Sequence, residues 1–131
     1  MVRLSSRFLA LVASVALLGS LPASAAEWKS FDAASFAAAK KEGKPILVDI
    51  FAVWCPTCRA QNPILTQLTR EPKYKDMVVF KMDFDTQKDD VRALKAQSQS
   101  TLIVYNGETE KGRTVGDTNP ASIAALLDSA L

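Results

Sequence analysis

Apolar and polar positions along this chain fall into short blocks whose period switches repeatedly between helical and strand-like. The first block, Phe8 to Leu18, is an unbroken apolar-to-small run behind Arg3 and Arg7. Glu27 to Ser30 reads as a short lead-in. Asp32 is placed to cap a helix through Lys41, with Phe31 before the cap and Phe36 five residues on, the spacing of a hydrophobic staple. Gly43 and Pro45 stop that helix. Ile46 to Val53 is then an almost continuous apolar run broken by one acid, Asp49. A run of that kind predicts a strand buried on both faces, in a central and parallel position.

A second helix is expected from Cys55 to about Arg70, with Ile64, Leu65 and Leu68 on its apolar stripe and Glu71-Pro72 ending it. Met77 to Phe84 reads as a second strand, entered from the charged turn Lys73 to Asp76. Asp89 and Asp90 suit the first turn of a shorter helix that points Val91 and Leu94 inward. Thr101 to Tyr105 is a third strand, Asn106-Gly107 a hairpin signal, and Arg113 to Val115 the returning strand. Asn119 and Pro120 supply a cap and a first-turn proline for a last helix, whose inner face is Ile123, Leu126, Leu127 and Ala130. This order predicts an α/β fold around a mixed sheet.

Composition removes several classes of chemistry. The 131 residues include two cysteines and no histidine. Ser-His-Asp and Cys-His catalysis are therefore excluded, as is a metal site built on imidazole. Two cysteines cannot supply a four-thiolate zinc site. The opening block, followed by Gly19, Pro22 and Ala23-Ser24-Ala25, has the layout of a secretory signal peptide cleaved near Ala25. It is too short to span a bilayer, which needs about 20 apolar residues. The expected division is a signal peptide at 1–25 and one domain at 26–131, exported to the periplasm. Arg3 and Arg7 leave with the peptide, so 16 basic residues become 14 against 14 acidic ones. A neutral domain gives no support for nucleic acid as a partner, nor for stable membrane insertion after cleavage.

The candidate chemistry lies in Asp49-Ile50-Phe51-Ala52-Val53-Trp54-Cys55-Pro56-Thr57-Cys58-Arg59. A buried strand runs into a helix whose first turn holds both thiols. Residues three apart on a helix are neighbours, close enough for a disulfide. Cys55 falls at the cap, where free N–H groups and the positive dipole end favour a thiolate, and Pro56 fits the first helical position. Cys58 lies seven residues before Leu65 and shares its buried face. These positions predict that Cys55 is the exposed nucleophile and Cys58 the protected resolving thiol. A purely stabilising disulfide is the plain alternative, but so short a loop stabilises little.

The stretch resembles the thioredoxin superfamily, whose Asp-x-x-Ala-x-Trp-Cys-x-x-Cys pattern is met by Asp49, Ala52, Trp54, Cys55 and Cys58. Pro63 matches the family's helix-kinking proline. The resemblance implies a thioredoxin fold, a central mixed sheet flanked by helices on both faces. It implies Asp49 as proton acceptor for Cys58, Lys81 as its electrostatic tuner, Trp54 as a lid beside Cys55, and Pro56, Thr57, Ser100 and Thr101 bordering the substrate. The bland alternatives are an edge-exposed Asp49 with a solvent-facing Lys81, and a core Trp54. Gly43-Lys44-Pro45 and Lys75 to Asp85 look most like the periplasmic branch containing the C-terminal domain of the membrane reductase DsbD. The Cys-Pro-Thr-Cys-Arg string is similar to the cytochrome c maturation thioredoxins.

One departure stands out. Aligning Thr101 to Gly107 with the family's strand and turn puts Ser100 where the family has a cis-proline that pairs with substrate backbone and shields the dithiol from metals. A cis bond before serine costs several kcal/mol, so a trans loop of different shape is expected. The Ser100 hydroxyl is a candidate hydrogen-bond donor to a thiolate; otherwise it is a tolerated loop residue. The expected function is thiol–disulfide exchange, leaning toward reduction because Pro56-Thr57 lacks the histidine of the superfamily's strong oxidants. Expected partners are disulfide-bearing exported proteins, apocytochromes among them, and a membrane thiol donor of DsbD type. The domain is expected to act as a monomer, with no cofactor beyond the Cys55–Cys58 disulfide and no resident metal. The alternative is a Cu(I) chaperone holding the ion on the same two thiolates.

Overall fold

The computed structural model describes residues 24–131. The proposed signal peptide therefore lies almost wholly outside the described residues. Ten elements follow one another: β1 (Glu27–Ser30), α1 (Ala33–Lys41), β2 (Pro45–Phe51), α2 (Pro56–Leu68), a 3-10 turn (Pro72–Tyr74), β3 (Val78–Asp83), α3 (Lys88–Ala93), β4 (Thr101–Asn106), β5 (Thr109–Val115) and α4 (Pro120–Asp128).

The strands form one sheet in the order β1-β3-β2-β4-β5. β1, β3 and β2 run parallel, while β4 and β5 are antiparallel to their neighbours. The lead-in Glu27 to Ser30 is thus a strand of its own on the free edge of β3, with Trp28 opposite Val79. Its indole Nε1 donates to Thr69 Oγ1 at 3.0 Å, tying that edge to the end of α2.

Strand alternation divides β2 between two helical layers. Ile46, Val48 and Ile50 join Phe31, Phe36, Phe80 and Val91 in the core beneath α1 and α3. Leu47 joins Leu65, Val79, Leu102, Val104, Ile123 and Leu127 in the core beneath α2 and α4. Asp49 and Phe51 share the parity of Leu47, so they face α2. The expected staple is present: the rings of Phe31 and Phe36 lie tilted 5.3 Å apart and both meet Phe80 edge-on, at 5.9 and 5.8 Å. Asp32 caps α1 through its carboxylate, which accepts from Ser35 N at 2.9 Å.

Several boundaries differ from expectation, among them the start of β5 at Thr109 rather than Arg113, where pairing with β4 extends it. β2 ends at Phe51 rather than Val53, because Ala52 to Cys55 turn back on themselves through a Cys55 N–H bond to Ala52 O of 3.1 Å. This leaves Val53 exposed despite its apolar side chain. α2 stops at Leu68, where the Thr69 hydroxyl donates back to Leu65 O at 2.8 Å. The Asn106-Gly107 hairpin is present, with Gly107 at φ 56° pressed against Gly43.

Candidate active site

The turn after β2 delivers Cys55 to the cap of α2 and Pro56 to its first position. Cys55 and Cys58 are joined in a disulfide with their α-carbons 5.3 Å apart. Cys55 Sγ also accepts the Cys58 backbone N–H at 3.1 Å, acting as the helix cap. That bond marks where the free N–H groups of the helix end would meet a thiolate after reduction.

The expectation of an exposed Cys55 and a more protected Cys58 is corrected in this oxidised state. Cys55 is 2 % exposed and Cys58 8 %. The Cys55 side chain folds back over the helix end toward its partner sulfur and packs with Ala52, Phe51 and Phe84. A groove of about 280 Å³ lined by Phe51, Ala52, Val53, Cys58, Arg59, Asn62 and Lys81 runs from Cys58 to the sheet.

Lys81 is the far wall of that groove. In the sheet Asp49 lies between Lys81 of β3 and Leu102 of β4. Asp49 is 3 % exposed, and its Oδ2 stands 3.3 Å from Lys81 Nζ. The bland reading of an edge-exposed acid is therefore excluded. Burial pushes the Asp49 carboxyl up from its ordinary value, and the neighbouring Lys81 only partly offsets it. The Lys81 ammonium is held from several sides, over the Phe51 ring at 4.5 Å and within 3.3 Å of Asn62 Oδ1 on α2. Asn62 lies four residues after Cys58, so one groove joins Cys58, Asn62 and the Lys81 ammonium that neighbours the buried acid.

Trp54 is not a core residue. It is 54 % exposed, and its Nε1 donates to Asp85 Oδ2 at 2.8 Å. Asp85 follows β3 and is itself placed by its N–H bond to Asp83 Oδ1 at 2.8 Å. That bond ties the exposed indole to the turn after β3. Pro56 is exposed and Thr57 half-buried, as surface contacts for a partner would be.

The loop before β4 has no cis bond, and none occurs among the described residues. Ser100 instead adopts φ 55°, a left-handed conformation rare for a residue with a Cβ. Its hydroxyl donates to Gln99 O at 2.7 Å, so it is turned away from the thiolate role considered for it. Thr101 is buried, its hydroxyl donating to Ser98 O at 2.7 Å. Both residues are buried as wholes, at 6 % and 1 % exposure, and Thr101 is paired in the sheet on both sides.

Three contributors were not visible in the expectations: Asn62, Asp85 and Gln61. Gln61 is 1 % exposed and donates through Nε2 to Asp117 O at 2.8 Å and to Ser100 O at 3.3 Å. Its Oε1 has no partner among the described residues. A buried acceptor left unpaired costs about 1–3 kcal/mol. A signal existed in the sequence: Gln61 interrupts the buried stripe Cys58, Gln61, Leu65 of α2 with a polar residue. Nothing comparable pointed to Asp85, whose role depends on where the turn places Trp54.

Comparison with known proteins agrees with this geometry. The thioredoxin family model matches residues 27–129. The thioredoxin H-type of Brassica campestris is 36 % identical over 90 residues, covering 69 % of this chain and 72 % of its own. Thioredoxin-2 of Saccharomyces cerevisiae is 35 % identical over 86 residues, covering 66 % and 80 %. Among solved structures, Trxlp from Edwardsiella tarda superposes with a TM-score of 0.75 at 39 % identity, covering 77 % of this chain and 98 % of that one. With its mixed five-stranded sheet and a Cys55–Cys58 pair at the head of α2, the chain belongs to the thioredoxin family.

Proposed function

We propose that this protein is an exported thiol–disulfide oxidoreductase that reduces disulfides in partner proteins. The observation that carries the reading is the capped pair itself: two cysteines bonded at the N-terminus of a helix, one of them receiving a backbone N–H. In the reduced protein the Cys55 thiolate attacks one sulfur of a partner disulfide. A mixed disulfide forms, and the other partner sulfur leaves as a thiolate that takes up a proton. Cys58 then loses its proton, for which Asp49 is the proposed acceptor, and attacks Cys55 Sγ. The second partner thiol is released, the Cys55–Cys58 disulfide forms, and two electrons have passed to the partner. A second dithiol protein must return them.

The layout of residues 1–25 supports export to the periplasm, where disulfide-bearing exported proteins are available. The likeness of Gly43-Lys44-Pro45 and Lys75 to Asp85 to the DsbD branch supports a membrane thiol donor of that type as the electron source. The Cys-Pro-Thr-Cys-Arg string supports apocytochromes among the partners.

The test is catalytic reduction of a disulfide-linked peptide by purified protein with a dithiol regenerant, together with thiol alkylation in the native compartment. Turnover and a mainly reduced steady state are expected. A pair that stays oxidised and turns over nothing overturns the reductase reading. Tight stoichiometric Cu(I) binding in an anaerobic titration, with negligible turnover, would replace it by a metallochaperone on the same thiolates.

A further inference from the structure

We propose that Gln61 is a positioning residue, whose side-chain amide clamps the Ser100 loop and the β5–α4 turn to the active-site helix and so fixes the shape that the half-buried Ser98 and Gln99 present to a partner. The proposal rests on the disulfide-exchange reading above and names a part of that site that the cysteine motif does not contain.

The loop needs such a device. Ser100 sits at φ 55° without a cis bond, in a conformation that its Cβ disfavours. Its carbonyl receives two donors, Gly116 N at 2.9 Å and Gln61 Nε2 at 3.3 Å. The second proton of the same amide goes to Asp117 O at 2.8 Å, in the turn that follows β5. One side chain from α2 thus spans two chain segments that are distant in sequence, one turn of helix beyond Cys58.

Stability alone does not account for a glutamine here. The residue is almost fully buried on a stripe shared with Cys58 and Leu65, and its Oε1 lacks a donor among the described residues. An apolar side chain would fill the position without stranding an acceptor. Swapping the amide's oxygen and nitrogen would set an acceptor against two carbonyls, so the two bonds fix its orientation. What the glutamine supplies is a pair of donors aimed at two loops from the helical turn that follows Cys58.

Gln61→Met keeps the length of the side chain and removes both donors. With a disulfide-linked peptide as substrate, KM is expected to rise about tenfold, the scale of one or two lost hydrogen bonds, while kcat moves less than twofold. An unchanged KM overturns the proposal, and so does a fall in kcat at constant KM. In case Gln61→Met does not fold, the wild-type protein supplies a second measurement. Its Gln61 side-chain amide protons should exchange with solvent at least a hundredfold slower than those of an exposed glutamine such as Gln67. Exchange at the free rate overturns the clamp. If wild-type protein turns over no peptide disulfide, the exchange reading fails, and amide exchange still decides the clamp on its own.

Discussion

Replacing Asp49 by asparagine should stabilise the protein at neutral pH, although it breaks an ion pair. Asp49 is 3 % exposed in the middle of β2, and Lys81 Nζ at 3.3 Å is its charged neighbour. At that distance two unit charges attract by about 5 kcal/mol at an effective dielectric of about 20. Removing a carboxylate from water costs several kcal/mol. The Lys81 side chain keeps 30 % of its exposure, so solvent screens part of the attraction. Burial prevails, and the carboxyl is held above its ordinary value of 3.8. Between the ordinary value and the raised folded one, the folded protein holds a proton that the unfolded chain has released. Stability from that proton is complete below pH 3.8 and is lost as pH rises through the folded value. Each tenfold in proton affinity is worth about 1.4 kcal/mol. Asparagine does not ionise and escapes the loss. Lys81 is not stranded, since the Phe51 ring and Asn62 remain beside it. Urea titrations of oxidised Asp49→Asn and wild type at pH 7 should differ by about 1 kcal/mol or more in favour of the variant. That corresponds to about 4–8 °C in Tm for a domain of this size. The two proteins should converge near pH 3.5. A variant less stable than wild type at pH 7, or a gap independent of pH, would refute the reasoning.

Other substitutions test neighbouring parts of the structure. Lys81→Met removes the cation that holds Asp49 down, so the pH-dependent loss of stability should shift to higher pH, read by the same urea titrations. Phe80→Ala should cost about 3–5 kcal/mol, because the ring is fully buried against Phe31 and Phe36; equilibrium denaturation measures it. Gly107→Ala should cost more than about 1 kcal/mol in the same assay, since φ is 56° and a Cβ would stand 3.2 Å from Gly43 Cα.

How far the sequence could be read follows from which interactions are local. The strand Ile46 to Phe51, the capped α1, the helix after Cys55 and the Asn106-Gly107 hairpin each depend on neighbours in the chain, and each was legible. β1 was not, because Glu27 to Ser30 becomes a strand only by pairing with Val78 to Lys81 far along the chain. The end of β2 was misplaced for the related reason that an apolar run does not show where the chain turns. In the site, the cysteine motif announced the chemistry, and Asp49 was found because a lone acid interrupts a buried strand. Asp85 and Asn62 escaped because their partners, Trp54 and Lys81, reach them only through the tertiary fold. The burial of Cys55 escaped because spacing indicates the cap position but not the direction in which the sulfur folds.

The roles of the two thiols are tested most directly by trapping. Cys58→Ser and Cys55→Ser variants are expressed in the native compartment, and mixed disulfides are captured by acid quench and alkylation. Cys58→Ser should accumulate partner proteins bonded through Cys55, while Cys55→Ser should accumulate few. Equal trapping by both variants, or trapping through Cys58 alone, would contradict the assignment of Cys55 as the attacking thiol.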